Sequence, residues 1–136
     1  MRKGLVNRID NSNKEIFYEM YLEKYSNWVK SNQYLIETRN SPSYVRSLIG
    51  SINDIIRFTR EYQINKSIKL LPSDINKDYT NELIIYSDKR GLQPSTIKKR
   101  IKVLVMFSKW LEENHRVKFI VPKPKRDKPA KPKSKY

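Results

Sequence analysis

The clearest helical pattern in the chain is QPSTIKKRIKVLVMFSKWL, residues 93–111. Pro94 suits the first position of a helix, because the N–H that proline lacks would have no helical partner there. The apolar side chains that follow recur every three or four residues. They form a predicted core edge of Ile97, Ile101, Leu104, Val105, Ser108 and Leu111, which Phe107 and Trp110 flank. The opposite side carries Ser95, Lys98, Lys99, Lys102, Met106 and Lys109. We therefore predict a helix from about 94 to 114 with one basic face.

An earlier helix is predicted from Ser41 to Gln63. Ser41 can cap its start, and Pro42 fits its first position. The positions expected inward follow a 3.6-residue period. They are Val45, Leu48, Ile49, Ile52, Ile55, Ile56 and Thr59. The side expected outward holds Ser43, Arg46, Ser47, Gly50, Asp54 and Arg57.

The rest of the chain predicts two more helices and two polar ends. Residues 14–36 form one helix with a break near Ser31-Asn32, and residues 64–73 form a connector. Ser73 is the expected cap of a helix over 75–89, which Gly91 ends by taking a left-handed conformation. We expect an all-α, compact bundle of four or five helices over 14–121. A flexible N-terminus (1–13) would precede it, and a disordered tail (122–136) would follow.

Charge is the strongest hint of a partner. The chain has 136 residues, with 29 Lys and Arg against 14 Asp and Glu, and a formal net charge of +15. Lysine alternates with proline in the tail, a composition that cannot build a core. An excess of basic side chains favours a polyanion, because contacts with phosphates release condensed counterions. Nucleic acid is the first candidate, and an acidic membrane surface is the rival.

The sequence offers little for catalysis or metal binding. There is no cysteine, which excludes disulfides and thiolate zinc sites, and the single histidine, His115, lies at a predicted helix end. Glu112 and Glu113 are adjacent and therefore point to different sides of a helix. No glycine-rich phosphate loop, secretory signal or membrane-length apolar run is visible. We expect no enzyme activity, no cofactor and no metal, and a cytoplasmic location, nucleoid-associated or in a host cell if the protein is viral.

The basic helix faces are the candidate DNA-binding residues. On the earlier helix they are Ser43, Tyr44, Arg46, Ser47 and Arg57, and on the later one Ser95, Thr96, Lys98, Lys99, Lys102 and Lys109. Additional contacts are expected from the tail at Lys123, Lys125, Arg126 and Lys128. No acidic residue lies between 89 and 111 to neutralise the later face. The alternative is a solvated lysine face. Most tyrosines fall on core stripes, so we expect packing rather than base stacking from them.

The order of these elements resembles a known family. The segments that carry the resemblance are SPSYVR at 41–46, RGL at 90–92, PSTIKKRI at 94–101 and FSKWL at 107–111. Together they resemble the N-terminal core-binding (SAM-like) domain of tyrosine recombinases, the phage integrase family, over about residues 14–121. The resemblance implies half of a clamp around double-stranded DNA, with two helices facing the major groove. It also implies a role in DNA integration and recombination.

The chain departs from that family because it lacks the catalytic domain with its tyrosine nucleophile. It would be either a fragment or a stand-alone protein. As a fragment, its partner would be a catalytic domain in a longer parent chain or another protomer on DNA. Two further functions stay open. One is an architectural or regulatory DNA-binding protein of a mobile element, and the other is a basic module that binds RNA or an acidic protein.

Overall fold

A computed structural model describes residues 16–122, and within them the chain is a compact five-helix bundle without strands. The helices are α1 (Tyr18–Val29), α2 (Asn32–Thr38), α3 (Pro42–Lys66), α4 (Lys77–Lys89) and α5 (Pro94–His115). A short 3-10 turn, Pro72–Asp74, lies before α4. The all-α prediction is confirmed. The predicted tail contacts Lys123, Lys125, Arg126 and Lys128 lie outside the described residues, as does the segment 1–13.

Local capping explains where α2 and α3 begin. The backbone N–H of Tyr44 donates to Ser41 Oγ at 3.2 Å, and Pro42 occupies the first turn of α3 as predicted. The break between α1 and α2 is also confirmed. It falls at Ser31, whose hydroxyl accepts the N–H of Tyr34 at 3.3 Å. Helix α3 continues to Lys66, so the connector begins later than predicted.

The start of α4 corrects the predicted cap. Ser73 belongs to the 3-10 turn, and Asn76 caps α4 by accepting the N–H of Tyr79 at 3.1 Å. Asp74 holds the turn, because its carboxylate accepts the N–H of Leu71 at 2.8 Å. The end of α4 is as predicted: Gly91 has φ +79, the left-handed region that glycine enters without strain.

The core is built around the long helix α3, which packs against α1, α4 and α5. Its predicted inward side is buried except for half-exposed Ile49. Tyr18 lies at the centre of an aromatic group, edge-to-face with Tyr79, Phe107 and Phe119 at 5.5–5.6 Å. Such pairs add to the free energy of burial and favour particular angles between the packed elements.

Helix α5 is rotated relative to the predicted edge. Val105, expected inward, is 38% exposed, whereas Phe107 is fully buried. The buried side consists of Val103, Leu104, Phe107 and Leu111. Two neighbouring apolar stripes on this helix both fit the 3.6-residue period. The one that contains Phe107 is buried because the large ring fills the space between Tyr18 and Tyr25. None of the helices in the described part is long and apolar enough to span a membrane.

Candidate nucleic-acid interface

The predicted residues of α3 reach the surface. Ser43, Tyr44, Arg46, Ser47 and Arg57 are all exposed. Gly50 lies among them, within the helix, and is exposed as well. The outward assignment from helical periodicity is therefore confirmed at Ser43, Arg46, Ser47, Gly50 and Arg57.

The predicted residues of α5 form an exposed row of lysines. Ser95, Lys98, Lys99, Lys102 and Lys109 are exposed, and Thr96 is half-buried. None of the four lysines forms an ion pair with another described residue. Their ammonium groups therefore stand in solvent without a counter-charge from the described part of the chain.

Asp54 was predicted to face outward, and that is wrong: it is only 6% exposed. Its carboxylate instead lies where α3, α5 and the end of α4 meet. Arg100 Nε donates to Oδ2 at 3.2 Å, Arg90 Nη1 donates to Oδ1, and Arg57 Nη1 lies 3.6 Å from Oδ1. A carboxylate at the edge of a helix face becomes buried when guanidinium groups from neighbouring elements cover it.

We call Arg57, Arg90 and Arg100 the arginine cluster. Their side chains differ in exposure, at 61%, 41% and 14% respectively. Arg100 Nη1 also donates to Ser51 Oγ at 2.8 Å, and the Arg90 guanidinium lies 5.4 Å from the centre of the Tyr86 ring. The hydrogen bond to Asp54 raises the pKa of Arg90, so this arginine stays charged.

Sequence reasoning included Arg57 but missed Arg90 and Arg100. A signal for Arg100 was present, because it falls beside Ile97 and Leu104 on the apolar side of α5. A charge on a buried side needs a partner, and the segment 89–111 contains no acid. The partner therefore had to come from another helix, although the sequence does not say which.

The acidic ion-pair partners other than Asp54 lie on α1, at the start of α4 and near the end of α5, where Glu112 is 4.0 Å from Lys118. At the other end of α3, Arg60 pairs with Glu19 at 2.6 Å and with Glu23 at 2.8 Å, and Lys66 Nζ lies 3.3 Å from Asp78. No acid occurs between residues 38 and 53. Arg100 joins α5 to Ser51 and Asp54 of α3, and we call the N-terminal half of α3, the arginine cluster and the four exposed lysines of α5 the basic surface. Asp54 is its buried acid, and Asp88, two residues before Arg90 in the chain, is exposed.

His115, the last residue of α5, lies beside two aromatic rings. Its ring lies 5.4 Å from that of Tyr21 and 5.0 Å from that of Trp110. Partial burial, together with the nearby charge of Lys24, lowers its pKa. No group of potential metal ligands is found in residues 16–122. The tyrosines Tyr21, Tyr25 and Tyr79 are buried in the core, as expected from their spacing.

Comparison with known proteins adds no relative: no protein-family model, curated protein or solved structure matches the chain. The resemblance to tyrosine recombinases stays a prediction based on the segments quoted above.

Proposed function

We propose that the chain binds duplex DNA through the basic surface, in the manner of the core-binding domain of a tyrosine recombinase. The observation that carries the proposal is the separation of charge along α3. Basic residues in its C-terminal half form ion pairs with acids. Its N-terminal half has no acid before the buried Asp54. The lysine row of α5 forms no ion pair with the described residues either. Basic surface without protein counter-charges attracts the phosphate backbone.

Lys98, Lys99, Lys102 and Lys109 would contact phosphates, which fix the position of a protein on DNA but carry no sequence information. The short side chains of Ser43, Ser47 and Ser95 would allow close approach to a phosphate or a base edge in the major groove, which admits a helix. We assign no catalytic step to this chain.

Gly50 supports a close approach of DNA to α3. Glycine inside a helix lowers stability by about 0.5–1 kcal/mol relative to alanine. The fold does not require it, because a Cβ at this position would meet no atom within 4 Å. Packing within the protein does not explain Gly50, which is exposed on the basic surface. A glycine there would allow the DNA backbone to approach α3 closely.

The first test is a fluorescence-anisotropy titration of a labelled duplex of about 30 base pairs at two salt concentrations. With about six phosphates engaged, affinity should fall by roughly a thousandfold between 50 and 200 mM salt. The measurement is repeated on a chain without the predicted tail, residues 122–136. Salt-dependent binding that survives this truncation supports the proposal. A flat salt response, loss of binding with the tail, or preference for structured RNA over duplex DNA in competition contradicts it.

A charge-matched pair of variants locates the interface. Replacing Lys98, Lys99 and Lys102 with alanine should weaken binding and reduce the salt slope by about 0.9 for each phosphate that is no longer neutralised. The control replaces Lys24, Lys69 and Lys77, which are exposed on other parts of the fold and carry the same total charge. If both triple variants bind equally well, the lysine row of α5 is not part of the interface.

A further inference from the structure

The arginine cluster has more positive charge and more hydrogen-bond donors than a structural ion pair needs. We infer that it is a preformed clamp for one phosphate of the DNA backbone, in which Asp54 acts as a positioning residue. This inference rests on the proposed function, because it names a part of the same surface and the group bound there.

The first argument is charge. A structural pairing of one carboxylate requires one cation, but three guanidinium groups surround Asp54. Two positive charges are therefore left in excess at one point, where α3, the end of α4 and α5 meet. A phosphodiester carries one negative charge, so binding one phosphate would neutralise half of this excess.

The second argument is the number of N–H donors. A guanidinium has five. Within the cluster, hydrogen bonds to Asp54 and Ser51 use Nε and Nη1 of Arg100 and Nη1 of Arg90. Arg57 approaches Asp54 only to 3.6 Å, beyond hydrogen-bond length. The N–H donors of Arg57 and the unused donors of Arg90 can therefore bind an anion. Both side chains are accessible to it, because each is more than one third exposed.

The third argument is preorganisation. Arg90 is held by Asp54 on one side and by the ring of Tyr86 on another, and Arg100 is fixed between Asp54 and Ser51. A guanidinium fork that is already oriented loses less conformational entropy when it binds a phosphate. Asp54 would thus favour binding through geometry, even though its own charge repels the phosphate.

These opposed effects make Asp54→Asn a sharp test. If charge alone mattered, Asp54→Asn would tighten DNA binding, because it removes a negative charge. We expect that result for the control Asp88→Asn, which removes an exposed acid of α4. The clamp predicts that Asp54→Asn instead weakens binding about threefold to tenfold, because the guanidinium groups lose their orientation. Equal or tighter binding of a folded Asp54→Asn protein would overturn the positioning role.

Two variants test the clamp at its two more exposed arginines. Arg90→Lys and Arg57→Lys preserve the charge but remove the planar fork. The control Arg60→Lys makes the same change beside Glu19 and Glu23. We expect about tenfold weaker binding in the first two with the salt slope unchanged, because lysine keeps the charge, and no change in the control. Circular dichroism confirms folding of each variant.

The outcomes separate this inference from the proposed function. If the wild type binds duplex DNA and the lysine row matters, while Arg57→Lys and Arg90→Lys leave the affinity unchanged, the clamp is wrong and the proposed function stands. Failure of the wild type to bind duplex DNA refutes both.

Discussion

Asp54→Asn should also destabilise the fold, and the size of the effect can be worked out from the interactions that Asp54 makes. The Asp54 and Arg100 side chains are 8% and 14% exposed, so their ion pair is largely shielded from water. Removing one partner of a buried pair costs about 3–5 kcal/mol. The cost here should be smaller, because Arg100 keeps its bond to Ser51 and asparagine retains one oxygen as an acceptor. The exposed partners Arg57 and Arg90 add at most about 1 kcal/mol each.

We expect the free energy of unfolding to fall by about 2–3 kcal/mol. For a domain of this size that corresponds to a decrease in Tm of about 4 °C for each kcal/mol, or roughly 10 °C. Urea denaturation followed by circular dichroism measures the change. The control Glu61→Gln removes an exposed acid from the same helix and should shift the free energy by less than about 0.5 kcal/mol.

A double-mutant cycle isolates the Asp54–Arg100 interaction. Asp54→Asn and Arg100→Met are measured singly and together, and we expect a coupling of about 1.5–2 kcal/mol, because each single change leaves the other group without its main partner. A coupling below about 0.5 kcal/mol would refute the argument. It would mean that the two groups contribute to stability independently.

Three further predictions concern stability. Gly50→Ala should raise the free energy of unfolding by about 0.5–1 kcal/mol, because the added methyl meets no atom within 4 Å and reduces the entropy of the unfolded chain; a lower urea midpoint would contradict this. Tyr79→Phe should lower the free energy of unfolding by about 1 kcal/mol, because this change removes the 2.9 Å hydrogen bond between the buried Tyr79 and Thr59 hydroxyls. An unchanged urea midpoint would show that this hydrogen bond contributes nothing to stability. The pKa of His115 is lower in the folded protein, so the unfolded chain binds a proton at this residue more readily. The stability that neutral His115 contributes is therefore present above about pH 6.5 and is lost as the pH falls. Thermal melts between pH 7.5 and 5 should therefore show a steeper loss for the wild type than for His115→Gln, and parallel curves would contradict the assignment.

Local features of the sequence were sufficient for the helices and for most of the exposed candidate residues. Ser41 and Pro42 begin a helix and Gly91 ends one through interactions within a few residues, so their roles do not depend on the rest of the fold. The same holds for the outward position of Arg46 and of Lys98, because helical periodicity fixes which side is apolar.

The arrangement around Asp54 depended on the tertiary structure. Periodicity placed Asp54 on the outer side of α3, and it could not show that Arg90 and Arg100 would cover it from 36 and 46 positions away along the chain. Periodicity also predicted the α5 stripe with Val105 as the buried one, and the burial of Phe107 instead came from the space between the rings of Tyr18 and Tyr25. The sequence by itself therefore determined the helices, most of their ends and the excess of positive charge. Only packing decided which charges meet, because contacts between helices join residues that no local pattern relates.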